Sequence, residues 1–276
     1  RQLSKSFENQ LYSSDQKATT IDEINFQIQK GKSLKGSEHN IRLLVLGLGN
    51  KNGLLRRRFS EQLGNIGPTA LPQLIDALLK SQNVIQRRAA AKTLKLVGDH
   101  KALPYLVKAF INDEDQVVQF SAAGAMAIFG ATAVQHLVFI LENPECTEMQ
   151  YGLASWCLAF IGANAKNELK EAAKSKNIKV RSAAISALED QIRAFKDPEA
   201  VSLLNNALDD TSESVQIEAI KLAGKLNKIE SLIPILICKL KSLNTEIRRN
   251  SVFSLMILNA KEAIIPLEEL LKIEKE

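Results

Sequence analysis

Aromatic residues make up only 5% of this 276-residue chain, with 1 Trp, 3 Tyr and 10 Phe, and Pro is scarce at 7. No Val/Thr/Tyr-rich run alternates with polar residues, so β-strands find little support. Ala, Leu and Ile are plentiful instead. Small side chains let helices approach closely, and the composition therefore favours helix–helix packing. The 3 Cys (Cys146, Cys157 and Cys238) are odd in number and form no CxxC pair. That argues against a disulfide framework or a zinc site and fits a reducing cytoplasm. No apolar run approaches the ~20 residues that span a bilayer; Ile41 to Leu48 is far too short, and no membrane partner is expected. The sequence opens at Arg1 without a Met, which leaves a trimmed start open, and no stretch present reads as a leader.

Several chemistries are also missing. There is no Gly-rich phosphate loop, HExxH or GxSxG elbow. The histidines His39, His100 and His136 lie far apart and form no His-Glu dipeptide of the kind a HEAT-repeat deoxyhypusine hydroxylase uses, so no metal site is expected. His100 reads as a surface turn residue, and His136 opens a helix from which it could reach a groove. Basic residues number 36 and acidic ones 31, giving a net charge of +5. They are interspersed rather than gathered in a tail, which points weakly to an acidic ligand or partner and not to nucleic acid.

What is present is a repeat. An apolar residue followed by Gly recurs about every 32 residues: Ile66-Gly67, Val97-Gly98, Phe129-Gly130 and Ile161-Gly162. Gly suits a helix end because it adopts left-handed backbone without strain. Later units carry Leu226-Asn227 and Leu258-Asn259, and Asn is the next residue to tolerate that geometry. The fifth unit is degenerate, with Gln191-Ile192 at the equivalent point and extra residues around Ala194 to Asp197. Upstream of each marker runs a helix with apolar residues at 3/4 spacing. Downstream comes a partner helix, often opened by Pro, as in Leu71-Pro72, Leu103-Pro104, Ile233-Pro234 and Ile265-Pro266. Asn83, Asn177 and Asn244 each precede an Arg by four residues, an N-cap-to-Arg spacing with which HEAT repeats stitch neighbours together. The expected fold is an all-α HEAT-repeat solenoid, a right-handed superhelix of about six or seven helix pairs over 54–276. Residues 1–53, with turn-rich Ser13-Ser14-Asp15 and Gly31 to Ser37 and helices near Thr20 to Gln29 and Glu38 to Gly49, read as an N-terminal helical cap, mobile at its start.

Aligning the units on the marker lines up candidate groove residues. Eleven positions before it stand Arg56, Arg87, Gln119, Tyr151, Arg181, Gln216 and Arg248; the next position holds Arg57, Arg88, Phe120, Gly152, Ser182, Ile217 and Arg249. These rows fit a structural ladder, but the doubled arginines exceed what a ladder needs and would suit carboxylates or phosphates. Trp156 falls off the apolar stripe of its helix. Gly152 sits one turn before it and Gly124 takes its place one repeat earlier. Mid-helix Gly costs about 1 kcal/mol relative to Ala, so two of them suggest room for a flat ligand or for interdigitated packing. Glu148, Glu189 and Asp190 are carboxylates within reach.

The stretch Tyr151-Gly-Leu-Ala-Ser-Trp156-Cys-Leu-Ala-Phe-Ile-Gly162 resembles the Tyr- and Trp-containing helix of the E/F-type phycobiliprotein bilin lyases. Arg87-Arg-Ala-Ala-Ala-Lys-Thr-Leu and Gly98-Asp-His-Lys-Ala-Leu-Pro-Tyr-Leu are similar to that family's HEAT repeats. Gly152 and Ser155 stand where the family often has bulkier aromatics. The single-chain length is closer to the phycoerythrin-specific members. The resemblance implies a substrate, a linear tetrapyrrole such as phycoerythrobilin or phycocyanobilin, with no permanently bound cofactor. It also implies an acceptor, the α or β subunit of a phycobiliprotein. Under it Arg57, Arg87 or Arg88 would pair with the propionates; Tyr151 and Trp156 would stack on the pyrrole rings; Gln119, Phe120 and Arg181 would complete the substrate-binding set; and Glu148 or Glu189 would hydrogen-bond pyrrole N–H groups, with Tyr151 in the reacting set. Cys157, on the apolar stripe, would be core. Three other readings stand beside this one: a non-catalytic scaffold, a bilin or phycobiliprotein chaperone, and a nucleic-acid-binding HEAT protein of the alkylpurine glycosylase kind.

Overall fold

The computed structural model describes residues 21–226, 229 and 231–273, and no strand occurs among them. Chain contacts divide the protein into two compact units, one running to Phe129 and the other from Gly130. In the first, residues 21–29 are helical (α1) and are followed by α2 (Glu38–Gly47), α3 (Gly53–Ile66), α4 (Leu71–Lys80), α5 (Val84–Val97), α6 (Leu103–Asn112) and α7 (Gln116–Ile128). Helices α3, α5 and α7 pack side by side as one layer, and α2, α4 and α6 form a second against it. Leu44, Phe59, Leu74, Leu94, Phe110 and Met126 are fully buried between the layers.

The second unit contains α8 (Ala131–Glu142), α9 (Glu148–Ile161), α10 (Lys166–Ala172), α11 (Ile178–Ser186), α12 (Glu189–Arg193), α13 (Pro198–Leu208), α14 (Glu213–Lys225), α15 (Leu232–Lys239), α16 (Thr245–Ile257) and α17 (Ile264–Ile273). Here α9, α11, α14 and α16 follow one another in one layer, with α8, α10 and α13 against them. The buried core includes Leu137, Leu158, Leu188, Leu208, Ala219 and Leu236.

The helix-stop markers do what their residue types require. Gly67, Gly98, Gly130 and Gly162 all have positive φ, and Asn259 takes the same turn at φ 50°. Asn227 and the Ser13-Ser14-Asp15 turn lie outside the described residues. In the degenerate fifth unit the positive φ moves to Lys196 (49°), four residues past the expected point, because the inserted α12 must end before Asp197 can cap α13. N-capping also follows the sequence: Asn52, Asn83, Asp115, Asn177 and Asn244 each accept from a first-turn N–H.

The described part of the expected cap over 1–53 is joined to the repeats by side-chain hydrogen bonds. Gln86 Nε2 donates to Val45 O at 2.7 Å and Asn83 Nδ2 donates to Gly49 O at 3.0 Å. Helix α2 is thus stitched to the following repeat and belongs to the second layer.

One close approach fixes the spacing of α14 and α16. A Cβ on Gly224 would meet Ser254 Oγ at 2.6 Å and Ser254 Cα at 2.9 Å, while Ser254 Oγ donates to Ile220 O at 2.8 Å. Gly224→Ala must push the helices apart and break that bond, so it is expected to cost about 1–3 kcal/mol in chemical denaturation, where an exposed helical Gly→Ala change would stabilise.

Candidate functional site

The polar row eleven positions before the marker forms a ladder inside each unit. Arg87 Nε and Nη2 donate to Asp113 Oδ2 and Oδ1 at 2.9 and 3.1 Å, and its Nη1 donates to Ser81 O at 3.0 Å. Arg181 repeats the pattern on Asp210 at 3.0 and 2.9 Å and on Ser175 O at 3.0 Å. Gln119 Nε2 reaches Asp113 O, and Gln216 Nε2 reaches Asp210 O, each at 2.7 Å. The acceptor is therefore the aspartate two residues before the next N-cap, and not the N-cap residue itself.

Arg87, Gln119 and Arg181, expected from the sequence as substrate contacts, each donate to a neighbouring loop. The Arg87 side chain is only 10% exposed. A buried guanidinium holding a fork-to-fork carboxylate has no free face for a second one.

Arg57 and Arg88 are placed differently. They line a cleft of about 480 Å³ within the first unit, together with Arg56, Lys92 and Lys95. Arg88 also grips Asp115 in bidentate fashion at 3.0 and 2.7 Å, and that fork holds the Asp115 carboxyl below the ordinary aspartate range. Arg57 pairs with Glu61 one turn on. Phe120 is exposed on α7.

In the second unit Glu148 and Tyr151 come together. They line a cleft of about 290 Å³ formed by α9, α11 and α14, with Ile178, Ser182, Ile217 and Glu218. Burial is the main force pushing the Tyr151 phenol above its ordinary range, and the Glu218 charge adds to it. The nearby Ser155 and Ser182 hydroxyls pull the other way, and Glu148 contributes a further upward push. Both serine hydroxyls lie beside the phenol without completing a hydrogen bond. The phenol is held as an O–H donor. Tyr151 should ionise above the usual tyrosine value of about 10, and Tyr151→Phe should remove that phase from an absorbance titration. The sign follows: the raised phenol favours the fold below its unfolded pKa, and the contribution is lost as pH climbs through the folded value.

Glu189 does not join this cleft. Its carboxylate bridges Arg193 at 2.9 Å and Lys225 at 3.3 Å, an ion-pair arrangement between α12 and α14. Trp156 is 51% exposed and packs on Phe160 with ring centroids 5.6 Å apart. The Gly152 position before it opens on space, with nothing within 4 Å of where a Cβ would lie. An indole in a sealed core would have ended any role in binding, and it is not sealed. Cys157 is fully buried, and burial pushes its thiol up to about 12; it is core. Cys238 is exposed.

Ser182, Ile217 and Glu218 escaped selection from the sequence. The signal was there for two of them: Ser182 and Ile217 stand in the row one position after Tyr151's. Among the described residues, no cluster of three or more His, Cys, Asp or Glu side chains is arranged to hold a metal, and no helix is long and apolar enough to cross a membrane.

A family model of HEAT repeats matches residues 41–127. The bilin biosynthesis protein MpeU of Synechococcus sp. (strain WH8020) is 39% identical over 250 residues, which is 91% of this chain and 84% of that protein. The chain belongs to the bilin biosynthesis family of MpeU. The membership agrees with the resemblance of Tyr151–Gly162, the core of α9, to the E/F-type lyases. A second relative, the uncharacterized phycocyanin operon protein Z of Pseudanabaena tenuis (strain PCC 7409), is 33% identical over 111 residues, 38% of this chain and 54% of its own. Among solved structures, the CpcE–CpcF complex of phycocyanin lyase from Nostoc sp. PCC7120 is similar at 18% identity and a TM-score of 0.36, covering 84% of this chain and 92% of that one. In this MpeU-type family member, then, the α9 helix contributes both the exposed Trp156 and the half-buried phenol of Tyr151.

Proposed function

We propose that this protein is a bilin lyase that joins a linear tetrapyrrole to a cysteine of a phycobiliprotein α or β subunit, in the cytoplasm. The observation that carries the reading is the relationship to MpeU across 91% of the chain. The reaction is an addition. The acceptor thiol sulfur bonds to the exocyclic carbon of the ring-A ethylidene, the double bond is consumed, and the proton ends on the adjoining ring carbon, so nothing leaves. Phycoerythrobilin is the substrate we favour over phycocyanobilin, with isomerisation to be read in the same assay.

The cleft of Glu148 and Tyr151 supports this reading by its chemistry. A carboxylate beside a protonated phenol offers an acceptor for pyrrole N–H groups and a hydrogen-bond donor in one cleft. Trp156, exposed beside Phe160, offers a face on which a flat conjugated ring can stack. Arg57, exposed and held only by Glu61 one turn on, remains the candidate for a propionate carboxylate, since guanidinium and carboxylate match in two parallel hydrogen bonds; Arg88 lines the same cleft with its fork on Asp115. The nucleophile comes from the acceptor, so the lyase contributes orientation, which can supply several powers of ten in rate.

Adding phycoerythrobilin to the purified protein should shift and sharpen the bilin absorption bands. Absence of any shift would remove the lyase reading. A shift without covalent transfer to a phycobiliprotein subunit would leave a bilin chaperone in its place.

A further inference from the structure

The cleft of α9, α11 and α14 is small. About 290 Å³ lies at the low end of the space that drug-sized ligands occupy. It cannot enclose four linked pyrrole rings, but it is ample for one five-membered ring with its substituents. Ile178 and Ile217 provide apolar walls, and the polar groups sit together: the Tyr151 phenol, the Ser182 hydroxyl and the Glu148 and Glu218 carboxylates. Ser182 is 1% exposed, and its hydroxyl has no hydrogen-bond partner within the protein. A buried, unpartnered hydroxyl costs free energy unless something supplies the missing bond. Lys179, also at the cleft, is already committed, donating to Cys146 O at 2.9 Å. Glu218 keeps acceptor capacity, because its one pairing is with Lys221 Nζ at 2.9 Å.

Two hydroxyl donors facing carboxylate acceptors across an apolar slot match a ring that carries a carbonyl and an N–H side by side. A lactam has that arrangement, and the terminal rings of a linear tetrapyrrole are lactams, whereas the inner rings lack the carbonyl. We propose that this cleft holds one terminal lactam ring of the bilin, with Glu218 accepting from the lactam N–H while Tyr151 and Ser182 donate to its carbonyl oxygen. Glu218 and Ser182 are thereby positioning residues for the reaction. The ring to be held is the ethylidene-bearing one, since fixing it presents the reacting carbon to the incoming thiol while the other three rings stay outside the slot. The inference rests on the lyase reading and deepens it.

The test uses the full chain, phycoerythrobilin as probe, and Glu218→Gln, Ser182→Ala and Tyr151→Phe variants. Glu218→Gln exchanges an acceptor-only carboxylate for an amide and should raise the bilin Kd about 10- to 100-fold, the range for a hydrogen bond to a charged group. Ser182→Ala should raise it about 3- to 10-fold. The decisive readout is the lactam carbonyl stretch in infrared difference spectra of bound bilin. Tyr151→Phe and Ser182→Ala should each move it to higher frequency as a donor is lost, which a merely structural role would not do. Circular dichroism melting separates folding failure from site loss, and Ser182→Cys, close in size, serves as the second variant at that position. If the wild-type protein binds and transfers bilin while these variants leave both Kd and carbonyl band unchanged, the lactam pocket is wrong and the lyase reading stands. If the wild type neither binds nor transfers, both fall together.

Discussion

Asp113→Ala is expected to destabilise the first unit by about 3–5 kcal/mol, the cost of leaving a buried charge without its partner. Asp113 accepts from two nitrogens of Arg87 and from the backbone N–H of Asp115. The two side chains are only 10% and 7% exposed. Once the carboxylate is gone, the Arg87 guanidinium keeps the Ser81 carbonyl and a long contact to Glu114 at 3.6 Å. Neither replaces a bidentate partner. Urea denaturation of variant and wild type measures the loss. The double replacement Arg87→Met with Asp113→Leu should recover much of it, because buried ion pairs are often replaceable by apolar side chains of similar volume. A single-site loss below about 1 kcal/mol would mean the rung behaves as an exposed pair, and Arg87 would return as a candidate ligand contact.

The largest functional effect is expected from Glu148→Gln combined with Tyr151→Phe. General acid–base assistance by one positioned group is typically worth 10²–10⁴-fold. We therefore expect covalent transfer to fall by about 100-fold or more, with bilin binding falling less. The phenol argument is specific: burial and the Glu218 charge keep Tyr151 protonated, so the Phe variant removes a proton donor and changes little volume. Each single variant should retain part of the activity, and the pair should be non-additive because the two groups line one cleft. Glu189→Gln should leave transfer unaltered, since that carboxylate is occupied by Arg193 and Lys225.

Much of the fold was legible because helix termination is a local matter. A chain that must turn with positive φ needs Gly or Asn, and the markers at 67, 98, 130, 162 and 259 carry them. The degenerate fifth unit was harder: Lys196 adopts the same backbone without the residue type that signals it. How the segment before residue 53 meets the repeats was not legible, because the bonds from Gln86 and Asn83 to Val45 and Gly49 span 41 and 34 residues. The candidate site divided along similar lines. Tyr151 and Trp156 stood out by type and by offset from the apolar stripe. Arg87 and Arg181 looked alike from sequence whether they faced a ligand or Asp113 and Asp210, because the deciding acceptors lie 26 and 29 residues away. Ser182 stood in an aligned row without a type that singles it out, and Glu218 was harder still. A glutamate on an amphipathic helix carries no signal until three helices are set side by side.

Thioether formation between a bilin and a protein cysteine is read by co-expression with phycobiliprotein α and β subunits and the enzymes of bilin synthesis, followed by mass spectrometry of the denatured subunits. One cysteine of an α or β subunit should gain the mass of one bilin, with no atoms lost, only when this protein is present. Subunits that stay unmodified, or that acquire the bilin equally without it, would contradict the lyase reading.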